Sequence, residues 1–256
     1  ILEEHSFTAE LTEHEIPVIS PLVDHTGSSL IHTGPFRIAL YPRTGGRAPE
    51  LDDPDHLLIL GRCLARIHNV GAAKPFKHRP HLDLDSFANQ PRRFLLESDF
   101  IPIDLITAYE TLTEHIINSI EACFSRAGSC KPIRLHGDCH LGNILWTDDA
   151  PIIVDFDDTL TGPAIQDLWM LLSGDRSYMT ARLHDLLDGY CEFRDFDPRE
   201  LHLIEALRTM RIMHFSGWLA RRWDDPAFPL AFPWFNTQRY WEDHILSLKE
   251  QLANMD

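Results

Sequence analysis

The chain has 256 residues, 44% of them hydrophobic and 24% charged, the composition of a soluble globular protein long enough for one large domain or two modest lobes. Its 23 Lys and Arg stand against 39 Asp and Glu, a formal net charge of −16, so nucleic acid and anionic membrane surfaces are repelled at long range and any nucleotide must be held locally. No apolar run is long enough to span a membrane, no basic-then-apolar leader opens the chain, and the five cysteines lack a Cys-x-x-Cys pair, which argues against a disulfide framework or a structural zinc site and makes the cytoplasm the expected compartment.

The spacing of Leu2, Phe7 and Leu11 predicts a first helix that ends before Pro17. Two or three short strands follow, around 18–20, 30–33 and 36–41, punctuated by two His-Thr-Gly turns. Pro42-Arg43-Thr44-Gly45-Gly46 then breaks the pattern and reads either as a link between lobes or as a surface turn. Asp53 before Pro54 predicts an N-cap followed by proline in the first turn of a helix through Leu57, Leu60, Leu64 and Ile67. A further helix is expected over about 103–125, with Ile106, Tyr109, Leu112, Ile116, Ile120 and Phe124 as its apolar stripe.

Residues 133–157 carry the chemistry. Two short apolar runs flank the polar loop His136–Asn143, and a third, Pro151–Val154, delivers a carboxylate at its end. That strand, loop, strand, turn, strand pattern is expected to gather Asp138, Asn143 and Asp155 at one edge of a small sheet. Phosphoryl transfer needs a carboxylate to orient the attacking hydroxyl and hard oxygen ligands to hold Mg2+ on the phosphates, and these side chains are of those types. Their alternative roles are a turn residue, a loop cap and a strand terminator. A metal cluster of His136, Cys139 and His140 is disfavoured, because consecutive loop residues rarely converge on one ion. Beyond the loop the chain reads as helical, over about 164–173, 179–193, 199–223 and 237–253.

His-Gly-Asp, an Asn five residues later and an Asp twelve residues beyond it resemble the catalytic and metal loops of kinases related to aminoglycoside phosphotransferase. With Gly162–Met170 and Arg221–Pro229, the chain resembles the bacterial stress response kinase A family, protein kinases with an aminoglycoside phosphotransferase and choline kinase type of fold. The resemblance implies a bilobal α+β protein-kinase-like fold: residues 1–42 as the remainder of an N-terminal lobe, 43–50 as the hinge, and 51–256 as a mostly helical C-terminal lobe with its catalytic and metal loops at 136–160. It implies ATP as co-substrate and Mg2+ as cofactor, with a protein Ser/Thr hydroxyl as acceptor, no nucleic acid or membrane partner, and a monomer.

Carried over residue by residue, Asp138 is the expected catalytic base, and Asn143 and Asp155 the metal ligands, Asp155 also acting in catalysis. Asp167 is similar to the aspartate that buttresses the catalytic loop through hydrogen bonds, though a carboxylate in a first helical turn is also favoured by the helix dipole. His136 and Asp157 are expected to support these residues from behind. Tyr41 and Pro42 fall where the hinge meets the adenine, presenting backbone groups. Glu4 is similar to the glutamate that positions a phosphate-binding lysine, and its neighbour Glu3 reads with it as a solvated helix face.

A kinase of this type also needs a phosphate-covering loop and a strand lysine before that glutamate. None of the four lysines, at 74, 77, 131 and 249, lies in a suitable place, so the expectation is that the first strands of the amino-terminal lobe are missing and that the piece alone transfers phosphate slowly. Ile152–Leu160 also resembles the first motif of haloacid-dehalogenase-type phosphatases, with Asp155 as nucleophile and Asp157 as acid/base, but the later strands and lysine of that fold have no counterpart. Two other readings stay open. One is a hydroxyl kinase for a small aminoglycoside-, choline- or homoserine-like molecule, for which Trp169, Trp218, Trp223 and Trp234 could form a cage. The other is a non-catalytic binding module using Arg208, Arg211, Arg221 and Arg222 with Trp218 and Trp223.

Overall fold

Helix α1, Leu2–Glu13, is the first element of a computed structural model that describes residues 1–147 and 150–255. Phe7 and Leu11 are buried as the spacing requires, whereas Leu2 is exposed and the inward face is completed by Glu4, His5 and Thr8. The helix stops at His14, and Glu15 takes a positive φ of 54° ahead of Pro17. Strands β1, Ile31–Thr33, and β2, Phe36–Ile38, form an antiparallel hairpin in register Thr33↔Phe36. The strand expected at 18–20 is reduced to one parallel bridge from Val18 to Ile153.

Contact density divides the chain into two units. The first contains Ile1–His81 and Lys131–Pro198. Helix α2, Pro54–Ala73, begins as predicted, with Asp53 accepting from the Asp55 N–H at 3.0 Å. Strands β3, Ile133–Leu135, β4, Ile144–Trp146, β5, Pro151–Ile153, and β6, Leu160–Gly162, follow, then α5, Ile165–Trp169, and α6, Arg176–Cys191. The single sheet expected here is two separate antiparallel ladders, β3 with β6 and β4 with β5. The sequence pattern passed directly from the metal loop to helix and so missed β6, whose three residues are too short to carry a period. Helices α2 and α6 pack where two glycines meet: a Cβ on Gly61 would strike the Leu186 carbonyl, and one on Gly189 the Leu58 carbonyl. No other residue permits backbones that close.

One buried cation ties this unit together. Arg134 on β3 donates to Glu10 at 2.8 Å and to the Val70 carbonyl at 2.8 Å, while its guanidinium lies 4.5 Å from the centroid of Phe7. It thereby joins α1, the end of α2 and the strand leading into the His136–Asn143 loop.

The second unit contains Leu82–Cys130 and the residues from Arg199 onward. A π-helical turn, Asp85–Asn89, runs into α3, Gln90–Glu97, and α4 covers Ile106–Ala127, starting three residues later than 103. Tyr109, Leu112, Ile116 and Ile120 are buried along α4, and Gly128 ends it with a φ of 65°. The helix expected over 199–223 is a 3-10 segment, Pro198–Leu203, followed by α7, Ile204–Arg221. Short α8, Ala227–Ala231, and long α9, Gln238–Met255, complete the unit. Residues 85–97 and 227–231 carry no predicted element. Proline and phenylalanine interrupt the helical period in both.

Candidate active site

The loop between β3 and β4 is held by an unbroken set of polar contacts. Gly137 has a φ of 89°, and a Cβ there would collide with the Asp158 carbonyl, so only glycine lets the two loops touch. His136 is fully buried against the Phe156 ring, with centroids 4.5 Å apart. Its partners fix its tautomer: Nε2 faces the Val154 carbonyl at 2.8 Å and must donate, while Nδ1 accepts the Asp138 N–H at 3.2 Å. One imidazole thus registers the His136–Asn143 loop against the residue preceding Asp155.

Asp167, on α5, is buried and sits beneath the same loop. Its Oδ2 accepts the His136 N–H at 2.9 Å and its Oδ1 the Gly137 N–H at 2.8 Å. His68 Nε2 meets Oδ2 at 3.1 Å, and His68 Nδ1 meets the Tyr190 hydroxyl at 2.9 Å. Burial alone would raise the Asp167 carboxyl, but the His68 hydrogen bond, the His68 and His136 imidazoles and the Gly137 N–H together hold it below the usual range. His68 gave no signal in the sequence. It lies within an amphipathic helix, 99 positions from its partner.

Asn143 donates from Nδ2 to the Asp138 carbonyl at 3.0 Å, which leaves its amide oxygen as an acceptor, and its backbone carbonyl accepts the Val154 N–H at 3.0 Å. The β4–β5 register, Ile144↔Ile153, places the start of one strand beside the end of the other. Asn143 and Asp155 therefore flank the same end of one ladder, and Asp138 joins them through the Asn143 amide. The Asp138 carboxylate meets His140 Nε2 at 3.4 Å, and the His140 ring is held by the Gly142 N–H at 2.9 Å.

Asp155 is exposed and left-handed, with φ 64° and ψ 66°, a conformation that costs an aspartate about 1 kcal/mol and turns the chain sharply out of β5. It lines a cleft of about 460 Å³ with Glu4, Tyr41, Pro42 and Asp157, and Ile19, Leu145 and Phe156 are among the apolar walls. Asp138, Asn143, His136 and Asp167 are outside this lining and reach it through the Val154 contacts. No lysine lines the cleft, and Lys74 is paired with Glu10 at 2.6 Å.

Glu3 and Glu4 divide their work. Glu3 accepts the backbone N–H groups of Lys77, His78 and Arg79 at 2.7–2.9 Å, tying α1 to the segment after α2. Glu4 faces the cleft, where the Tyr41 hydroxyl donates to it at 3.4 Å. Burial, and then the charge of Asp157, push the Glu4 carboxyl up to about 7 against the opposing pull of Arg79. Burial, followed by Glu4, Asp157 and Asp155, raises the Tyr41 phenol to about 12. Arg79, which sequence reasoning passed over, lies 3.7 Å from Glu4 and donates to the carbonyls of Thr159, at 2.7 Å, and Asp157.

Among the described residues no group of three or more His, Cys, Asp and Glu could by itself hold a metal ion. The donors present fit a hard divalent cation shared with phosphates, which takes one or two protein oxygens: a carboxylate at Asp155 and the amide oxygen that Asn143 keeps open.

The phosphotransferase enzyme family model, APH, matches residues 1–204. Stress response kinase A of Salmonella choleraesuis (strain SC-B67) is 41% identical over 251 residues, covering 98% of this chain and 75% of the relative. The serine/threonine protein kinase RdoA of Salmonella typhimurium (strain LT2) is also 41% identical, with the same coverage. Among solved structures, the amicoumacin kinase hAmiN, in complex with AMP-PNP, Ca2+ and Ami, superposes with a TM-score of 0.74 at 18% identity, over 99% of this chain and 77% of that one, a likeness of fold. By the matched family model and by relatives at this level of identity, the chain belongs to the APH phosphotransferase enzyme family, alongside the bacterial stress response kinases.

Proposed function

We propose that this kinase transfers the γ-phosphate of ATP to a Ser or Thr hydroxyl of a protein, with Asp138 as catalytic base and with Mg2+ held by Asn143 and Asp155. The observation that carries the reading is the hydrogen-bonded run from Asp138 through Asn143 to Val154 at the foot of the cleft, which couples a base to a pair of metal-binding oxygens. The protein acceptor follows from the serine/threonine protein kinase among its relatives.

In this reading the adenine lies between Ile19, Leu145 and the Tyr41–Pro42 backbone, which bound the cleft. Bound Mg2+ would neutralise phosphate charge and orient the transferring group. Asp138, positioned by its carbonyl bond from Asn143 and its N–H bond to His136, accepts or orients the acceptor hydroxyl proton. Asp167 keeps the loop in place without touching the reactants, and Glu4 stands where a cation from the nucleotide side would lower its carboxyl. Residues 1–42 act as part of the N-terminal lobe, 43–50 as the hinge and 51–256 as the C-terminal lobe. The reading includes a cytoplasmic monomer without nucleic acid or membrane partners. The net charge of −16 supports the part of it that concerns nucleic acid and anionic membrane surfaces.

The test is Mg2+-dependent transfer of labelled γ-phosphate with wild type and Asp138→Ala, offered a generic protein acceptor and a panel of small amino-alcohols. Label on protein that disappears in the variant is the expected result. Label confined to a small molecule would make the enzyme a metabolite or antibiotic kinase, and turnover unchanged by Asp138→Ala would remove Asp138 from its role.

A further inference from the structure

In a chain of net charge −16, one face of the second unit carries cations beside exposed aromatics. Phe215, Trp218 and Arg222 recur at i, i+3 and i+7 along α7 and its C-cap, so they share one stripe. Phe215 stacks on Trp218 with centroids 6.0 Å apart and planes 11° apart, and on Trp234 at 6.5 Å and 27°. The platform is open: Phe215 is 42% exposed, Trp234 44%, and neighbouring Leu230 83%. Single exposed apolar residues are ordinary, but a contiguous flat aromatic surface of this kind marks a contact site.

The charge at its edge is specific. The Arg222 guanidinium lies 4.6 Å from the Trp218 centroid and donates once, to the Trp218 carbonyl at 3.4 Å, so most of its five N–H donors remain available. Arg221 packs over Phe94 at 5.4 Å. Among the described residues no carboxylate pairs with Arg221 or Arg222. Asp224 and Asp225 follow closely, and Asp225 Oδ1 is engaged by the Ala227 N–H at 3.0 Å. The charges of Arg221, Arg222 and Arg211 also reach His214 on the same helix, which burial first and then these arginines hold below its ordinary value, against a bond from the Ser86 backbone that pulls it upward.

We propose that the Phe215–Trp218–Trp234 platform, with Arg222 at its edge, docks a short acidic segment of the protein substrate. This deepens the protein-kinase reading and rests on it. Acidic side chains meet planar guanidinium donors, while an apolar or aromatic residue of the segment lies on the stacked rings. A peptide is favoured over nucleic acid because a few carboxylates sense only the local patch, within a screening length of about 10 Å, whereas an extended polyanion also meets the rest of an acidic protein.

The experiment measures fluorescence anisotropy of labelled short Ser-containing peptides without ATP: one rich in Asp and Glu, one with Lys at those positions, one neutral. Wild type is compared with Arg222→Glu and Phe215→Ser, both exposed positions where the fold should survive. The acidic peptide should bind best, weaken as salt rises from about 50 to about 200 mM, and lose about tenfold or more in affinity in Arg222→Glu. The Lys peptide should gain affinity for that variant. With ATP and Mg2+, an acceptor carrying the acidic segment should show a raised KM and unchanged kcat in both variants, and one without it no change. Equal binding of all three peptides, indifference to Arg222→Glu, or stronger binding of a single-stranded oligonucleotide would each overturn the docking site. Acidic-peptide binding lost in the variants, but with no protein acceptor phosphorylated by wild type, would keep a docking surface for acidic peptides and remove the protein-kinase reading instead.

Discussion

The loop between β3 and β4 and the cleft beside it are built on opposite electrostatic terms. Around His136–Asn143 the two buried groups that hold the loop are fully engaged: Asp167 is met by two backbone N–H groups and His68, and His136 is engaged at both nitrogens. Across the Val154 contacts, the cleft gathers the three carboxylates Glu4, Asp155 and Asp157 against Arg43 in its lining and Arg79 beside Glu4. The first region is rigid by satisfaction, which suits the base proposed at Asp138, since such a group must hold one geometry. The second is left short of positive charge, which suits a place where metal and nucleotide arrive together. Burial first, and the neighbouring carboxylates after it, push the Glu4 carboxyl and the Tyr41 phenol upward.

The contrast can be broken from either side. The largest effect is expected at the bases themselves. Asp138→Ala should lower kcat by about 10² to 10⁴-fold while leaving nucleotide affinity intact, whereas Asp155→Ala should also weaken Mg2+-dependent ATP binding. Steady-state kinetics with calorimetric titration of ATP would separate them, and equal loss of nucleotide affinity in both would erase the division.

Next is Asp167→Ala, which abandons His68 and two N–H groups in the interior. It should cost about 3–5 kcal/mol in urea unfolding and lower turnover through loop disorder. Because the folded Asp167 carboxyl is held below its unfolded value, its stabilisation is present above the unfolded value and is lost as pH falls through the folded one, so the variant and wild type should converge in acid.

A smaller change is expected for Arg79→Leu, which gives up the Thr159 and Asp157 carbonyls and the Glu4 pair. Unfolding should show a loss of about 2 kcal/mol, with Glu4 pushed further upward. A loss below a few tenths would mean the loop holds itself.

The smallest effect sharpens the comparison most. Glu4 titrates in the fold at about 7 rather than near 4.5, so the native state binds its proton more tightly than the unfolded chain does. Stability from this group is therefore highest below the unfolded value, declines as pH rises to about 7 and stays lower above it. Glu4→Gln keeps an acceptor for Tyr41 and removes the charge. Thermal melts should show it about 1 kcal/mol more stable than wild type at pH 8 and equal to it at pH 5, a gain discounted for solvent screening. A variant less stable at both would show Glu4 already compensated.

Two kinds of information were readable from the chain. Local periodicity placed α2, α4, α6 and α9, and the Asp53 cap, because each depends on residues within one or two turns. The polar loop between apolar runs, read with its resemblance to the loops of a kinase family, also singled out Asp138, Asn143 and Asp155. Segments of three residues, such as β6, or helices broken by proline, such as 85–97, gave too little pattern to read.

The sequence by itself determined the chemical types at the site and the helices that frame it. Only the tertiary structure decided which groups are wired together: Arg134 with Glu10 across 124 positions, His68 with Asp167 across 99, and Glu3 rather than Glu4 on the backbone of Lys77–Arg79. The reason is physical. A helix or a loop spacing is set by covalent neighbours, whereas an ion pair, a buried imidazole or a shifted carboxyl is set by whatever the fold brings within a few ångströms and removes from water.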